Sequence, residues 1–498
     1  MAEPTSYFPA RLRTEQSVSP SASISTARRN WALSSGLVQV ASTLAMDPAL
    51  GTEVPLFCTQ NPGNLIATRA TLDKPESEET EMKVLPTIIA AALGGAVFAV
   101  TPQAALGQDT IKIAYTDPLS GPFAQVGDAN LKQFQFILDY INSKGGALGK
   151  KFELVPFDNK SQPSDALIAL KSATDQNMPF IMQCSGSNIA AALIEGVEKH
   201  NERNPESRII YVNCGAVATE LTNEKCSFWH FRFDVHVAMK AEIMARAMPK
   251  DVTKVYLLNQ DYLFGQSVQR DVKAYLAKLR PDVQVVGDEL IPLGKIKDFS
   301  PYITKIKAAG AQALITGNWG PDMNLLIKAG IDAGIDLRYY TLYAHLVGGA
   351  TAIGPGGDGK VRSVMSFSEN HAVEIGNKDA EAWTKAFRDK HSFDFYAAGF
   401  RTIFEHLQSA VNKAGAVDAT KIAFALEGQK MKDFLGYDTI MRKDDHQIVS
   451  EYLVGVFKKG VKYDSEKTGL GWATEATILA NDIDQPNTCK MKRPETPT

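Results

Sequence analysis

No Cys-x-x-Cys pair occurs in this chain. Its five cysteines, Cys58, Cys184, Cys214, Cys226 and Cys489, stand far apart, which argues against a zinc ribbon or a thioredoxin-type redox site. Long lysine and arginine runs are also missing, and the formal net charge is only −3, so there is no electrostatic footprint for nucleic acid. GxSxG, HExxH, SxxK and HxE…CxxC are absent, which removes the common hydrolase and metal-site signatures. Gly354-Pro-Gly-Gly-Asp-Gly359-Lys360 matches the first part of a phosphate loop. Val361, however, replaces the hydroxyl residue that would hold Mg²⁺, and 361–367 reads as a strand where a phosphate loop must open a helix. A flexible surface turn is expected there, and a solvated turn at Asp444-Asp445-His446. The eight histidines are isolated, so no catalytic residue, metal or cofactor is expected.

What is present begins with a compositional break. Residues 1–81 are rich in Ser, Thr, Ala and Pro and lack sustained periodicity. Met82-Lys83, an apolar run over 84–100, and Thr101-Pro-Gln-Ala-Ala-Leu-Gly107 then form a basic start, an apolar stretch and a small-residue cleavage site. The run is shorter than the ~20 apolar residues a membrane span prefers and contains Pro86, Gly94 and Gly95. Residues 82–107 are therefore expected to be a signal peptide, with translation starting at Met82 and 1–81 a non-native extension or a disordered leader. The product is expected to be free in the periplasm, with no stable membrane insertion after cleavage.

From Thr110 onward, strand and helix patterns alternate. Residues 111–115 read as a buried strand. Leu131, Phe134, Ile137, Leu138 and Ile141 form one stripe of a helix that Gly145-Gly146 stops. Strands follow at 152–157, 180–183 and 208–213, with helices between them. The rhythm restarts near 232 and runs to about 362. Further helices are expected at 380–390, 396–413 and 420–426, and strands at 437–441 and 452–458. This alternation implies two α/β halves with parallel sheets.

In such sheets ligands bind beyond the carboxyl ends of the strands, where helix N-termini point. Those positions hold Asp117-Pro-Leu-Ser-Gly-Pro-Phe123, Cys184-Ser-Gly-Ser-Asn188, Cys214-Gly-Ala-Val217, Gln260-Asp-Tyr-Leu-Phe-Gly265 and Gly317-Asn-Trp-Gly-Pro-Asp322. Small residues, hydroxyls and aromatics with few charges suit binding more than bond breaking. Ser185 and Ser187 are expected to donate to a carboxylate at a positive helix end, although Ser187 would serve equally as a helix cap. Tyr262, Phe264, Trp319 and Tyr343 would supply apolar walls; packing into the core or between lobes is the alternative for Tyr262 and Trp319.

The residues 113–128 (Ile-Ala-Tyr-Thr-Asp-Pro-Leu-Ser-Gly-Pro-Phe-Ala-Gln-Val-Gly-Asp), with Asp139-Tyr-Ile-Asn-Ser-Lys-Gly-Gly146, Gly215-Ala-Val-Ala-Thr-Glu-Leu-Thr222 and Asp298-Phe-Ser-Pro-Tyr-Ile303, resemble the leucine/isoleucine/valine-binding family of periplasmic solute receptors. The resemblance covers about 110–490. It implies a type I periplasmic binding protein: two Rossmann-like lobes with parallel sheets, joined by three hinge crossings near 231–234, 366–369 and 434–438. Lobe 1 would comprise 108–231 and 368–435, lobe 2 would comprise 232–367 and 436–490, and 491–498 would be a tail.

By position, the carboxylate grip falls on Ser185, Gly186, Ser187, Gly215, Ala216 and Val217, and the second-lobe wall on Phe264 and Trp319. The implied partners are a small solute and the membrane permease subunits of an ABC importer. Amino-acid-binding members place an acid after the strand matching 339–343, where this chain reads Tyr343-Ala-His-Leu-Val-Gly348. Asp234 or Asp261 then takes the ammonium, or the solute lacks one; an organic or aromatic acid or an amide competes with an amino acid. Cys184 matches a disulfide cysteine of a relative, but the partner segment Asp158-Asn-Lys-Ser161 has none, so a Cys226–Cys489 bond is expected instead. A ligand-sensing module for a signalling partner is the alternative function, and an enzyme would need a nucleophile and base that the sequence does not identify.

Overall fold

The computed structural model describes residues 110–497. The expected extension over 1–81 and signal peptide over 82–107 lie outside the described residues. The first half runs β1 (Thr110–Asp117), α1 (Ala124–Ser143), β2 (Lys151–Asp158), α2 (Pro163–Asp175), β3 (Phe180–Gln183), α3 (Ser187–Arg203), β4 (Ile210–Asn213), a 3₁₀ turn (Thr219–Thr222) and β5 (His230–Arg232). Its strands pair in parallel in the order β2-β1-β3-β4-β5. Strands β3 and β4 are buried along their whole length and apolar up to their last residues, Gln183 and Asn213, as helices on both faces require.

The second half runs α4 (Val237–Ala247), β6 (Lys254–Gln260), α5 (Leu263–Leu279), β7 (Gln284–Ile291), α6 (Ser300–Ala308), β8 (Ala313–Thr316), α7 (Gly320–Asp332), β9 (Arg338–Thr341), α8 (Gly349–Ile353) and β10 (Val361–Met365). Its parallel order, β7-β6-β8-β9-β10, repeats that of the first half. The phosphate-loop-like segment leads into β10, so no helix follows Lys360.

The chain then returns to the first sheet. Helices α9 (Glu369–Glu374), α10 (Lys378–His391), α11 (Ala398–Ala414) and α12 (Ala419–Leu426) precede a small antiparallel sheet of β11 (Lys430–Lys432), β12 (Asp438–Met441) and β13 (Ile448–Val449). Phe387, Ile403, Leu407 and Ile422 pack in the same core as Phe134 and Tyr211. β14 (Tyr452–Lys458) and β15 (Gly471–Ile478) extend the second sheet antiparallel beside β10, and α13 (Ala480–Ile483) packs on it. The described residues thus form two Rossmann-like lobes.

The core assignments locate the crossings. Phe233 lies in the first core and Val235 in the second; Met365 lies in the second lobe and Phe367 in the first. A third change comes later in the chain. Leu435, Met441 and Ile448 all pack in the first core, and Val449 is where the chain enters the second. The boundary expected at 435/436 is therefore corrected to 448/449, because the strand expected at 437–441 belongs to the small sheet rather than to the second lobe.

Asp445 and His446 occupy this displaced crossing, and they are buried rather than solvated. Asp445 pairs with Arg442, and the His446 ring stacks on Phe231 at 4.0 Å between centroids. Arg232, fully buried, joins two crossings: its N–H donates to the His446 carbonyl at 2.9 Å, and its Nε donates to Gln447 Oε1 at 2.6 Å.

The chain end also departs from its expected place on the second lobe. After α13 it crosses back: the Thr488 N–H donates to Asn223 Oδ1 at 2.9 Å, and Lys492 pairs with Glu202 at 2.8 Å. A disulfide between Cys226 and Cys489, the pair expected to bond, fastens it there. Cys184 is not left single. It bonds Cys214, linking the ends of adjacent strands β3 and β4, with Cα atoms 4.6 Å apart.

Candidate functional site

The carboxyl ends of both parallel sheets border one cleft, whose empty space, open solvent included, is about 780 Å³. Ser185, Gly186, Ser187, Gly215 and Ala216 line it from the first lobe, and Tyr262, Phe264, Trp319 and Tyr343 from the second. Two expected members are elsewhere. Val217 is fully buried in the second core, where its carbonyl accepts from the Val237 N–H at 2.8 Å. Asp261 is exposed and bonded to Gln266, away from the cleft lining.

The first-lobe wall is built over a buried carboxylate. Asp117 ends β1 and is wholly buried. Its Oδ1 accepts the N–H groups of Cys184 (3.2 Å) and Ser185 (2.8 Å). Its Oδ2 accepts from the Tyr115 hydroxyl (2.9 Å), the Ser185 hydroxyl (3.0 Å) and the Asn130 amide (3.3 Å). Burial raises the Asp117 pKa, and the hydrogen bonds from Ser185, Tyr115 and Asn130 oppose that shift.

This arrangement corrects the expected role of Ser185. Its proton is committed to Asp117, which leaves its oxygen only the lone pairs of a hydroxyl. Ser187 is the opposite case. It opens α3 but does not cap it; Gly186 is the cap residue, at φ +97°, a conformation that favours glycine. Ser187 Oγ accepts the Ala218 N–H at 3.2 Å and keeps its own proton to donate, beside the positive end of a 17-residue helix. Gly215 allows close approach: a Cβ there would lie 3.2 Å from the Cys184 carbonyl oxygen.

The second-lobe wall is aromatic. Trp319 Nε1 donates to the Tyr262 hydroxyl at 2.8 Å, which leaves the Tyr262 proton free. The Trp319 ring also packs on Phe123 of the first lobe at 4.3 Å between centroids. A polar clasp adds to this contact. Arg270 of α5 pairs with Glu220 of the 3₁₀ turn, and the Thr219 hydroxyl donates to Asp271 Oδ2 at 2.6 Å.

Asp234 does line the cleft, but it is already engaged. Lys240 Nζ lies 2.9 Å from its Oδ1, and the Tyr452 hydroxyl donates to the same oxygen. Lys240 itself is buried, 4.7 Å from the Tyr452 ring centroid and 5.8 Å from that of Tyr343. The sequence reading missed Lys240, Tyr452, Tyr396 and Phe400, all of which line the cleft. A signal existed for Lys240: it stands three residues after Val237 and three before Ile243, on an otherwise apolar helical stripe. His345, also at the cleft, is held down to about 3 by burial and by Lys240.

The family model described as periplasmic binding protein matches residues 110–462. The chain belongs to the periplasmic binding protein family. This periplasmic binding protein is 32% identical over 418 residues to the Leu/Ile/Val-binding protein homolog 4 of Brucella melitensis, covering 82% of this chain and 99% of the relative. Among solved structures it resembles the closed conformation of a leucine-, isoleucine-, valine-, threonine- and alanine-binding protein from Brucella ovis (30% identity, TM-score 0.69, 78% of this chain and 100% of that one). A solute-binding protein of R. palustris in complex with 4-hydroxybenzoate shares the fold (18% identity, TM-score 0.64, 75% and 98%).

These relatives are binding proteins rather than enzymes. Among the described residues, no helix is long and apolar enough to cross a membrane, and no cluster of potential metal ligands occurs.

Proposed function

We propose that this chain is the exported solute-capturing component of an ABC importer and that it holds a small carboxylate-bearing solute, foremost an amino acid, between its lobes without altering it. The carrying observation is the polarity of the cleft. A hydroxyl donor, Ser187, stands at the start of α3 opposite an aromatic wall of Trp319, Tyr262 and Phe264. Carboxylates are favoured at helix N-termini, and aromatic walls suit the apolar remainder of the solute.

The names of the Brucella relatives support the amino-acid class. An aromatic acid is the second reading, favoured by the Asp234–Lys240 pair, which leaves no free carboxylate on the second-lobe wall to meet an ammonium. Solute binding would shift an open–closed equilibrium that the permease reads, which requires the solute to bind the closed state more tightly.

Native mass spectrometry of the protein purified from its own host tests the proposal. A single intact small carboxylate bound one-to-one is expected, and adding more of it should raise thermal stability. A chemically converted product, or no stabilisation by any amino acid or organic acid, would contradict it.

A further inference from the structure

If the cleft is the solute site, as proposed above, an α-amino acid there needs a negative charge to face its ammonium. Neither acid expected for that task is suited to it. Asp261 is exposed outside the cleft lining, and Asp234 is already neutralised by Lys240 at 2.9 Å, so an ammonium placed there would face a buried like charge. One further carboxylate lies directly behind the lining.

Asp117 is fully buried and faces no lysine or arginine among its hydrogen-bond partners, which are two backbone N–H groups, the Tyr115 and Ser185 hydroxyls and the Asn130 amide. Of these partners, Ser185 lines the cleft, and its hydroxyl proton is turned toward Asp117. Asn130 also lines the cleft, but its Oδ1 is taken by the Tyr396 hydroxyl at 2.7 Å.

We infer that Asp117 is a positioning residue for solute specificity: it holds Ser185 Oγ as a hydrogen-bond acceptor and supplies, through that hydroxyl, the counter-charge for the solute's ammonium. The chain ammonium–Ser185–Asp117 is then a polarised series in which the serine proton points to the carboxylate and the ammonium donates to the serine. Ser187, two residues on and of opposite polarity, takes the carboxylate. The pair Ser185/Ser187 thereby distinguishes the two ends of a zwitterion. A solute that carries only a carboxylate would fill the Ser187 end and gain nothing from Ser185, whose lone pairs would meet no donor.

Calorimetry on the full chain tests this with matched probes: L-leucine against 4-methylpentanoate, and L-phenylalanine against 3-phenylpropanoate. Each second member lacks only the ammonium. The wild type is expected to prefer the amino acid of at least one pair by about a hundredfold, the scale of one desolvated charge-assisted hydrogen bond and its counter-charge. Asp117→Asn and Ser185→Ala are each expected to cut that ratio by about tenfold while the deaminated acid's affinity stays within about threefold. A purely structural defect would lower both affinities together.

Should Asp117→Asn fail to fold, Ser185→Ala decides alone. A ratio unchanged in the folded variants, or a wild type that prefers the deaminated acid, overturns the role of Asp117 while leaving the cleft as the solute site. A wild type that binds no member of either pair overturns this inference together with the amino-acid reading on which it rests.

Discussion

The two walls of the cleft reach their strength by opposite means. The first-lobe wall consists of small residues at strand ends, and its character comes from what lies behind them: Asp117 and its donors fix the polarity of Ser185, and the start of α3 frees the Ser187 proton. The second-lobe wall consists of large rings that touch the cleft directly and brace one another, Trp319 on Tyr262 and Tyr262 near Phe264. Small side chains cannot define orientation unaided, so the first wall depends on a buried polar network. Large aromatics carry contact area themselves but discriminate little between charged ends. Under the proposed function, the difference assigns direction to one lobe and grip to the other.

Substitutions can break this comparison. The largest effect is expected from Asp117→Ala, which takes the acceptor from the buried Cys184 and Ser185 N–H groups, the Ser185 hydroxyl and the Asn130 amide, while Tyr115 keeps the Gly127 carbonyl. Chemical denaturation should show a loss of about 4 kcal/mol in stability, several unsatisfied groups at 1–3 kcal/mol each with partial relaxation. Trp319→Ala should leave the lobes folded and weaken solute binding by about 2 kcal/mol, roughly thirtyfold, the cost of a central aromatic contact, as read by calorimetry. Ser187→Ala should cost about 1.5 kcal/mol in affinity, one hydrogen bond to a charged group, and should also lower the melting temperature, because the buried Ala218 N–H loses its acceptor.

Smallest is Arg270→Ala, which opens the clasp to Glu220 and Asp271. Arg270 is half exposed, so screening limits its contribution to below about 1 kcal/mol. Affinity should fall slightly, and the wild type's advantage over this variant should shrink as salt rises. If Trp319→Ala altered the preference between matched zwitterion and anion while Ser187→Ala altered neither affinity, the division of labour between the walls would be reversed.

The repeat of the α/β rhythm was readable because strands such as 180–183 and 313–316 are short apolar runs between helices with regular stripes, and that pattern has one architectural solution. β15 escaped notice because its outer half, with Thr474, Glu475 and Thr477, is polar, as an edge strand can be. The third crossing was misplaced because β12 alternates like a second-lobe strand, and only its burial against the first core shows its side.

At the cleft, residues on strand-end loops were legible from topology alone. Asp117 opens one such loop, but an Asp-Pro step reads as turn chemistry and gives no sign that the side chain points inward. The polarity of Ser185 and the engagement of Asp234 depend on partners 68 and 6 residues away respectively, pairings that only the folded chain discloses. The Cys184–Cys214 bond likewise follows from β3 and β4 being neighbours, which spacing does not state.

The central claim is that one unaltered solute touches both walls at once. A crystal structure of the protein with the molecule that native mass spectrometry identifies tests it most directly. The account predicts intact density whose carboxylate lies within hydrogen-bond distance of Ser187 Oγ and whose apolar part rests on the Trp319 ring. A molecule bound elsewhere, held by one lobe alone, or chemically changed would contradict it.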